Sequence, residues 1–346
     1  MKRLSFLFLV MVLLNACSAA PAGPQSLTVM THDSFAATDT VIAAFEKSHN
    51  AKINILKSGD AGAALNKAIL SKQAPLADVL YGVDNTFLSR ALAADIYEPY
   101  DAAALLQIPA EFQLDPSKRA LPVDSADVCI VYDKAYFQAH QVAVPTQLED
   151  LVKPEYKGLL VVENPATSSP GLSFLLATVK HFGPSDYISY WKQLRQNGLQ
   201  VVDGWETAYY TNFSGSSGKG SQPLVVSYAT DPAAEVMSAQ TPMPDSPVGT
   251  ILGPDTCFRQ IEFVGILKGT KQQALARQFI DFMLSPEFQA DMPGQMYVFP
   301  VLPGVALPDA FAKYATRPSQ PASIAPDEIA KNRDAWIQAW SDAVLK

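Results

Sequence analysis

The chain has 346 residues, 48% of them hydrophobic, and its 26 Lys and Arg against 34 Asp and Glu leave a net charge of −8. Without a basic cluster it has nothing to neutralise a phosphate backbone, which excludes a nucleic-acid binder. Beyond the N-terminus no apolar run approaches the ~20 residues of a membrane-crossing helix, and the length exceeds one small core, so two lobes are expected.

Lys2 and Arg3 precede an apolar run, Leu4 to Leu14, too short for a permanent span. The run ends in Leu-Asn-Ala-Cys. Residues 1–17 resemble a bacterial lipoprotein signal in which Cys17 is lipidated and becomes the first mature residue, although Asn15 departs from the usual small residue. An ordinary cleaved signal peptide is the alternative. Either form exports the chain, and residues 18–26, rich in Ala, Pro, Gly and Ser, read as a tether. The expected location is therefore the periplasmic or cell-surface side of a membrane, with a lipid anchor.

From Ser26 the pattern alternates strand and helix. "SLTVMT" is a β-type run, "TDTVIAAFEKSHN" a helix, "AKINILKS" a strand, and "DAGAALNKAILSKQ" a helix opened by Asp60. "ADVLYGV" and "DNTFLSRALAA" repeat the pair. Units of this length imply a parallel sheet covered by helices. A second set follows "VCIVYD": the strand "GLLVVENP", the helix "SSPGLSFLLATVKHFG", and the strands "LQVVDG" and "PLVVSYA". "FRQIEFVGILKG" reads as a returning strand, followed by a helix pair and a last helix carrying Trp336 and Trp340 as packing anchors. "SGSSGKGSQ" is a surface loop and not a phosphate cradle, because it lacks the Gly-Lys-Ser/Thr ending.

Of three cysteines, Cys129 and Cys257 remain once Cys17 is set aside. Both lie in apolar strand-like runs, as a disulfide of an oxidising compartment or as two buried thiols. The four histidines show no metal-ligand spacing, and no hydrolase elbow, zinc-helix or dinucleotide motif is present. No enzyme, cofactor or resident metal is expected.

The polar and aromatic segments fall where strands end: "THDSF", "SGDAG", "GVDN", "NPATSSPG", "DGWETAYY" and "SYATDP". Ligands of open α/β sheets bind at those carboxyl ends, near helix N-termini. At this point the chain resembles the periplasmic thiamine-binding components of bacterial ABC importers, within a class of two-lobed solute-binding proteins that includes ferric-iron binders. "VMTHDSFAA", "ADVLYGVDN", "GWETAY", "VVSYATDPA" and "EFQADMPGQMYVFPV" carry the resemblance, which runs from about Leu27 to the C-terminus.

The resemblance implies an α/β two-lobed fold with a hinge of two crossing strands, near Leu121–Lys134 and Phe258–Lys268. Residues 27–125 with 265–346 would form one lobe and 126–264 the other. The crossing would bring Cys129 and Cys257 close. Ligand contacts carried over by position fall on Asp60 and Ala61, Ser168 and Ser169, Trp205, and Tyr228, Ala229, Thr230 and Asp231. His32 and Tyr297, which stand where the family has larger aromatic rings, and Asp33 are also assigned to the ligand, and Asp231 replaces a serine.

Thiamine's thiazolium carries a fixed positive charge for an aromatic face or carboxylate to stabilise, and its aminopyrimidine is flat and can stack. The gained carboxylate should disfavour thiamine phosphates. Expected partners are thiamine or a related small organic cation and an inner-membrane ABC permease, with the protein a monomer. Three alternatives stay open: ferric iron on the same fold, another organic cation, or an unrelated exported hydrolase. Iron would want paired tyrosines. Tyr209 and Tyr210 diverge by about 100° on a helix and read as packing instead.

Overall fold

The computed structural model describes residues 23–217 and 220–346. Cys17, the signal stretch and most of the tether lie outside the described residues. The first half alternates β1 (Gln25–Thr31), α1 (Asp39–His49), β2 (Ala51–Lys57), α2 (Ala61–Leu70), β3 (Val79–Asp84), α3 (Leu88–Ala93) and a short β4 (Tyr97–Glu98). β5 (Leu121–Asp133) then crosses to α4 (Lys134–His140), β6 (Leu160–Glu163), α5 (Ser169–Phe182), α6 (Tyr187–Gln196) and β7 (Gln200–Val202). These are followed by α7 (Trp205–Thr207), α8 (Ser214–Ser217), β8 (Leu224–Tyr228), α9 (Asp231–Ser238) and β9 (Val248–Ile251). β10 (Phe258–Leu267) returns to α10 (Gln273–Met283), α11 (Pro286–Gln295), β11 (Phe299–Pro300), α12 (Asp309–Tyr314) and α13 (Pro326–Val344).

The strand order β2-β1-β3-β10-β5-β8-β6-β7 corrects the expectation of a parallel sheet. β1, β2 and β3 pair in parallel, and so do β6, β7 and β8, but β10 and β5 run antiparallel between them. β5 is long because it serves both sides. Its first part pairs β10 from Leu121 to Val128, and its last part pairs β8 from Val128 to Tyr132. Two parallel half-sheets joined by two crossing strands make the two-lobed α/β fold.

One core lies between β1–β3 and the helices α1, α10 and α11, around Leu27, Val29, Phe45, Phe279 and Ile280. Another runs from Leu65 and Phe87 through Phe174 and Trp191 to Trp336 and Trp340, so the halves share buried apolar surface. Trp191 and Trp340 meet edge to face at 5.6 Å. α12 packs on α9, and α13 packs chiefly on α6 while reaching α3. The C-terminal chain thus returns to elements of the 126–264 segment.

Cys129 of β5 and Cys257, just before β10, are joined in a disulfide. Of the two readings open from sequence, the bond is the one realised. Beside it, Arg259 makes a bidentate pair with buried Asp127, and Arg317 stacks on Phe299 while donating to Ser125 Oγ. These contacts bind the back of the crossing strands.

Candidate functional site

A cavity of about 230 Å³ opens where the strands of both halves end. Trp205 forms one wall. It follows β7 at the start of α7, and its indole N–H donates to Ser227 Oγ at 2.8 Å. Its ring stacks on Tyr209 at 5.1 Å and meets Tyr210 and Tyr228 edge to face at 5.4 and 5.9 Å. A π-turn over Ala208–Asn212 follows α7 and sets the Tyr209 and Tyr210 rings at 90°. Tyr209 is buried with Phe213, and its hydroxyl donates to Glu235 at 2.7 Å. It packs and also borders the cavity. Tyr210 is 53% exposed and lines the cavity beside it.

Tyr297 also lines the cavity, from the turn between α11 and β11, with a left-handed φ of 54°. A bulky residue is costly there, a form of strain that clusters at ligand sites. His32 follows β1 and packs on β3 at Gly82, where φ is +96° and any Cβ would collide with the imidazole.

Asp60 links the halves. As N-cap of α2 it accepts the Ala61 N–H at 2.6 Å, and its second oxygen accepts the Trp205 N–H at 2.9 Å. Burial raises its pKa against the opposing pull of those hydrogen bonds and of Ser168. Ala63 N–H donates to Thr167 O at 3.1 Å, and a Cβ on Gly62 would lie 2.8 Å from that carbonyl. Glycine permits this close approach, and the halves touch across the cleft mouth.

Five carboxylates line the cavity: Asp60, Asp124, Asp231, Glu235 and Glu262. Among the described lining residues there is no Lys or Arg. Asp231, at the start of α9, accepts the Tyr228 N–H at 3.2 Å, and burial pushes its carboxyl up to about 8. Burial thus works against ionisation of this carboxyl near neutral pH. Glu235, one turn on, is also raised, mainly by burial.

Of the residues expected from sequence, His32, Asp60, Ser169, Trp205, Tyr228, Thr230, Asp231 and Tyr297 line this cavity. Four do not. Asp33 accepts the Gly59 N–H and faces the adjoining groove. Ala61 is buried at the α2 start, Ser168 caps α5 through the Gly171 N–H, and Ala229 sits against the disulfide. Ser169, from the expected pair, accepts a hydrogen bond from Gln260 at 2.8 Å. Sequence reasoning missed the lining roles of Tyr210 and Glu235, of Asp124 and Glu262, and of Tyr209 beside Tyr210. The tyrosines and Glu235 stand near marked motifs; the other two lie inside strand-like runs with no cue.

This geometry has clear counterparts. The family described as "Bacterial extracellular solute-binding protein" matches residues 74–332. The chain belongs to that family. A thiamine-binding periplasmic protein of Escherichia coli is 31% identical over 96% of this chain and 98% of its own. The solved structure of a periplasmic thiamin binding protein superposes with a TM-score of 0.82 at 30% identity, covering 93% of this chain and 96% of its own. A ferric binding protein from Campylobacter jejuni shares the fold at a TM-score of 0.74 and 21% identity, covering 92% and 99%. The family consists of binding proteins and not enzymes, so this chain is the extracytoplasmic solute-binding component of an ABC importer, taking a small molecule for its permease.

Proposed function

We propose that this chain captures thiamine in the cavity between its lobes and delivers it to the permease. The observation that carries the reading is the wall itself: Trp205, Tyr210, Tyr228 and Tyr297 with five carboxylates, and no Lys or Arg among the described lining residues. Aromatic faces and carboxylates suit a flat cation, and each cation–π contact contributes about 0.5–2 kcal/mol. A phosphate would add negative charge beside carboxyls that burial already makes reluctant to ionise, so thiamine should bind ahead of its phosphates. The names of the relatives support the vitamin.

Contacts are assigned to His32, Asp60, Ser169, Trp205, Tyr228, Thr230, Asp231 and Tyr297, with Tyr210 and Glu235 added. Asp33, Ala61, Ser168 and Ala229 shape the site from behind. The lobes divide at β5 and β10, with α12 and α13 resting on the second lobe. The protein acts as a monomer held to the membrane by lipid on Cys17.

Mass spectrometry of small molecules released from the purified protein, then calorimetry with thiamine, thiamine phosphate and ferric citrate, tests the reading. Thiamine should bind most tightly. A protein that ignores thiamine, or that takes up ferric iron with a phenolate absorption band lost in Tyr228→Phe, refutes it.

A further inference from the structure

At the cavity floor two buried carboxylates face each other on the crossing strands. Glu262 of β10 is the register partner of Asp124 on β5. Like charges placed directly opposite on neighbouring strands repel, and two carboxylates sharing one site do not both ionise easily. The fold supplies one hydroxyl donor for the pair. Tyr81 of β3 lies 2.6 Å from Asp124 Oδ2 and 3.1 Å from Glu262 Oε2.

The remaining two oxygens are less well served. Asp124 Oδ1 has no hydrogen-bond partner among the described residues, although Asp124 is fully buried and lines the cavity. Glu262 Oε1 stands 3.4 Å from His32 Nε2, which itself makes no hydrogen bond. An unserved acceptor of this kind is costly unless a donor from elsewhere completes it.

The surroundings add negative charge and little positive. Asp33 and Asp60 stand beside His32, and the Glu262 charge is felt by Asp84 and Tyr228. Arg259 and Arg317 are committed to Asp127 and Ser125. Burial and the Glu262 charge hold the Asp124 carboxyl well above the usual carboxylate range. Burial alone would lower the His32 pKa, but Glu262, Asp60 and Asp33 together raise it.

We propose that Asp124 and Glu262 form the seat for a hydrogen-bond-donating nitrogen of the cationic ligand, an amino group or ring N–H, and that the pair holds one proton which this group displaces to solvent. The protonated pair and the ligand give the ionised pair with ligand bound, plus one proton. The seat determines specificity: it favours a ligand with N–H at that end over one presenting an oxygen acceptor. It rests on the reading of this cavity as the thiamine site.

Calorimetry of the protein with thiamine, and with oxythiamine in which oxygen replaces the amino group, tests the seat. Running each titration in phosphate and in Tris at pH 7 counts the protons released. Asp124→Asn should release about one proton fewer per thiamine than the parent, bind thiamine about 10- to 100-fold more weakly, and lose most of the preference over oxythiamine. Glu262→Gln serves as the second variant, with circular dichroism confirming that each folds. Unchanged proton counts and an unchanged preference in both variants overturn the seat and leave the thiamine reading standing. A parent protein that does not bind thiamine overturns that reading and the seat with it.

Discussion

Replacing Trp205 with alanine separates a binding wall from a packing residue. The indole is only half-buried: Tyr209 covers one face, Ser227 takes its N–H, and the rest of the ring borders the cavity. Its loss removes one cation–π contact of about 0.5–2 kcal/mol and one aromatic pairing of about 0.5–1.5 kcal/mol. Their sum, about 1–3.5 kcal/mol, weakens thiamine binding about 5- to 300-fold at 1.4 kcal/mol per tenfold. The backbone N–H that donates to Asp60 survives the change, so the fold and cleft contact persist. Trp205→Phe keeps a face but not the Ser227 bond, and should fall between parent and alanine variant. Calorimetry gives the dissociation constants, and thermal melting checks the fold. A dissociation constant within twofold of the parent would show that the ring only packs.

Other expectations follow from the same geometry. Asp60→Ala removes the α2 cap and the charge-assisted bond to Trp205, the latter worth about 1.5–3 kcal/mol, so small-angle scattering of the unliganded protein should show a larger radius of gyration. An unchanged profile would mean that this bond does not hold the halves together. Asp231, pushed up to about 8, is protonated below that pH and charged above it, and a bound cation favours the charged form. Affinity for thiamine should therefore rise as pH climbs from 6.5 to 9, and Asp231→Asn should flatten that rise; a flat parent profile refutes the assignment. Replacing both Cys129 and Cys257 with alanine should cost about 2–5 kcal/mol, read as a lower urea midpoint, because the bond spans a sequence separation of 128 residues. An unchanged midpoint would show that the packing there suffices.

Much of the frame was legible because local pattern fixes it. Alternating strand and helix runs place His32, Asp60 and Trp205 at the ends of β1, β2 and β7, and such ends converge in an α/β sheet. The antiparallel sense of β5 and β10 was not legible from periodicity, since buried strands of either sense read as continuous apolar runs. For that reason Asp124 and Glu262, within such runs, gave no sign of facing each other. Tyr210 was hidden by a different cause. A regular helix would have turned it away, whereas the π-turn after Thr207 re-aims it into the cavity. The upward shift of the Asp231 carboxyl could not be read from sequence either, because the burial that causes it belongs to the assembled fold.

The pairing of β10 slips against β5 between Glu262 and Phe263, and against β3 between Phe263 and Val264. Both neighbouring ladders break at one residue, so stiffness drops there while the lengths on either side stay straight. A swing of one half would pivot at Phe263, beside a carboxylate that borders the cavity, and rotation of the halves would be felt first by whatever that carboxylate holds.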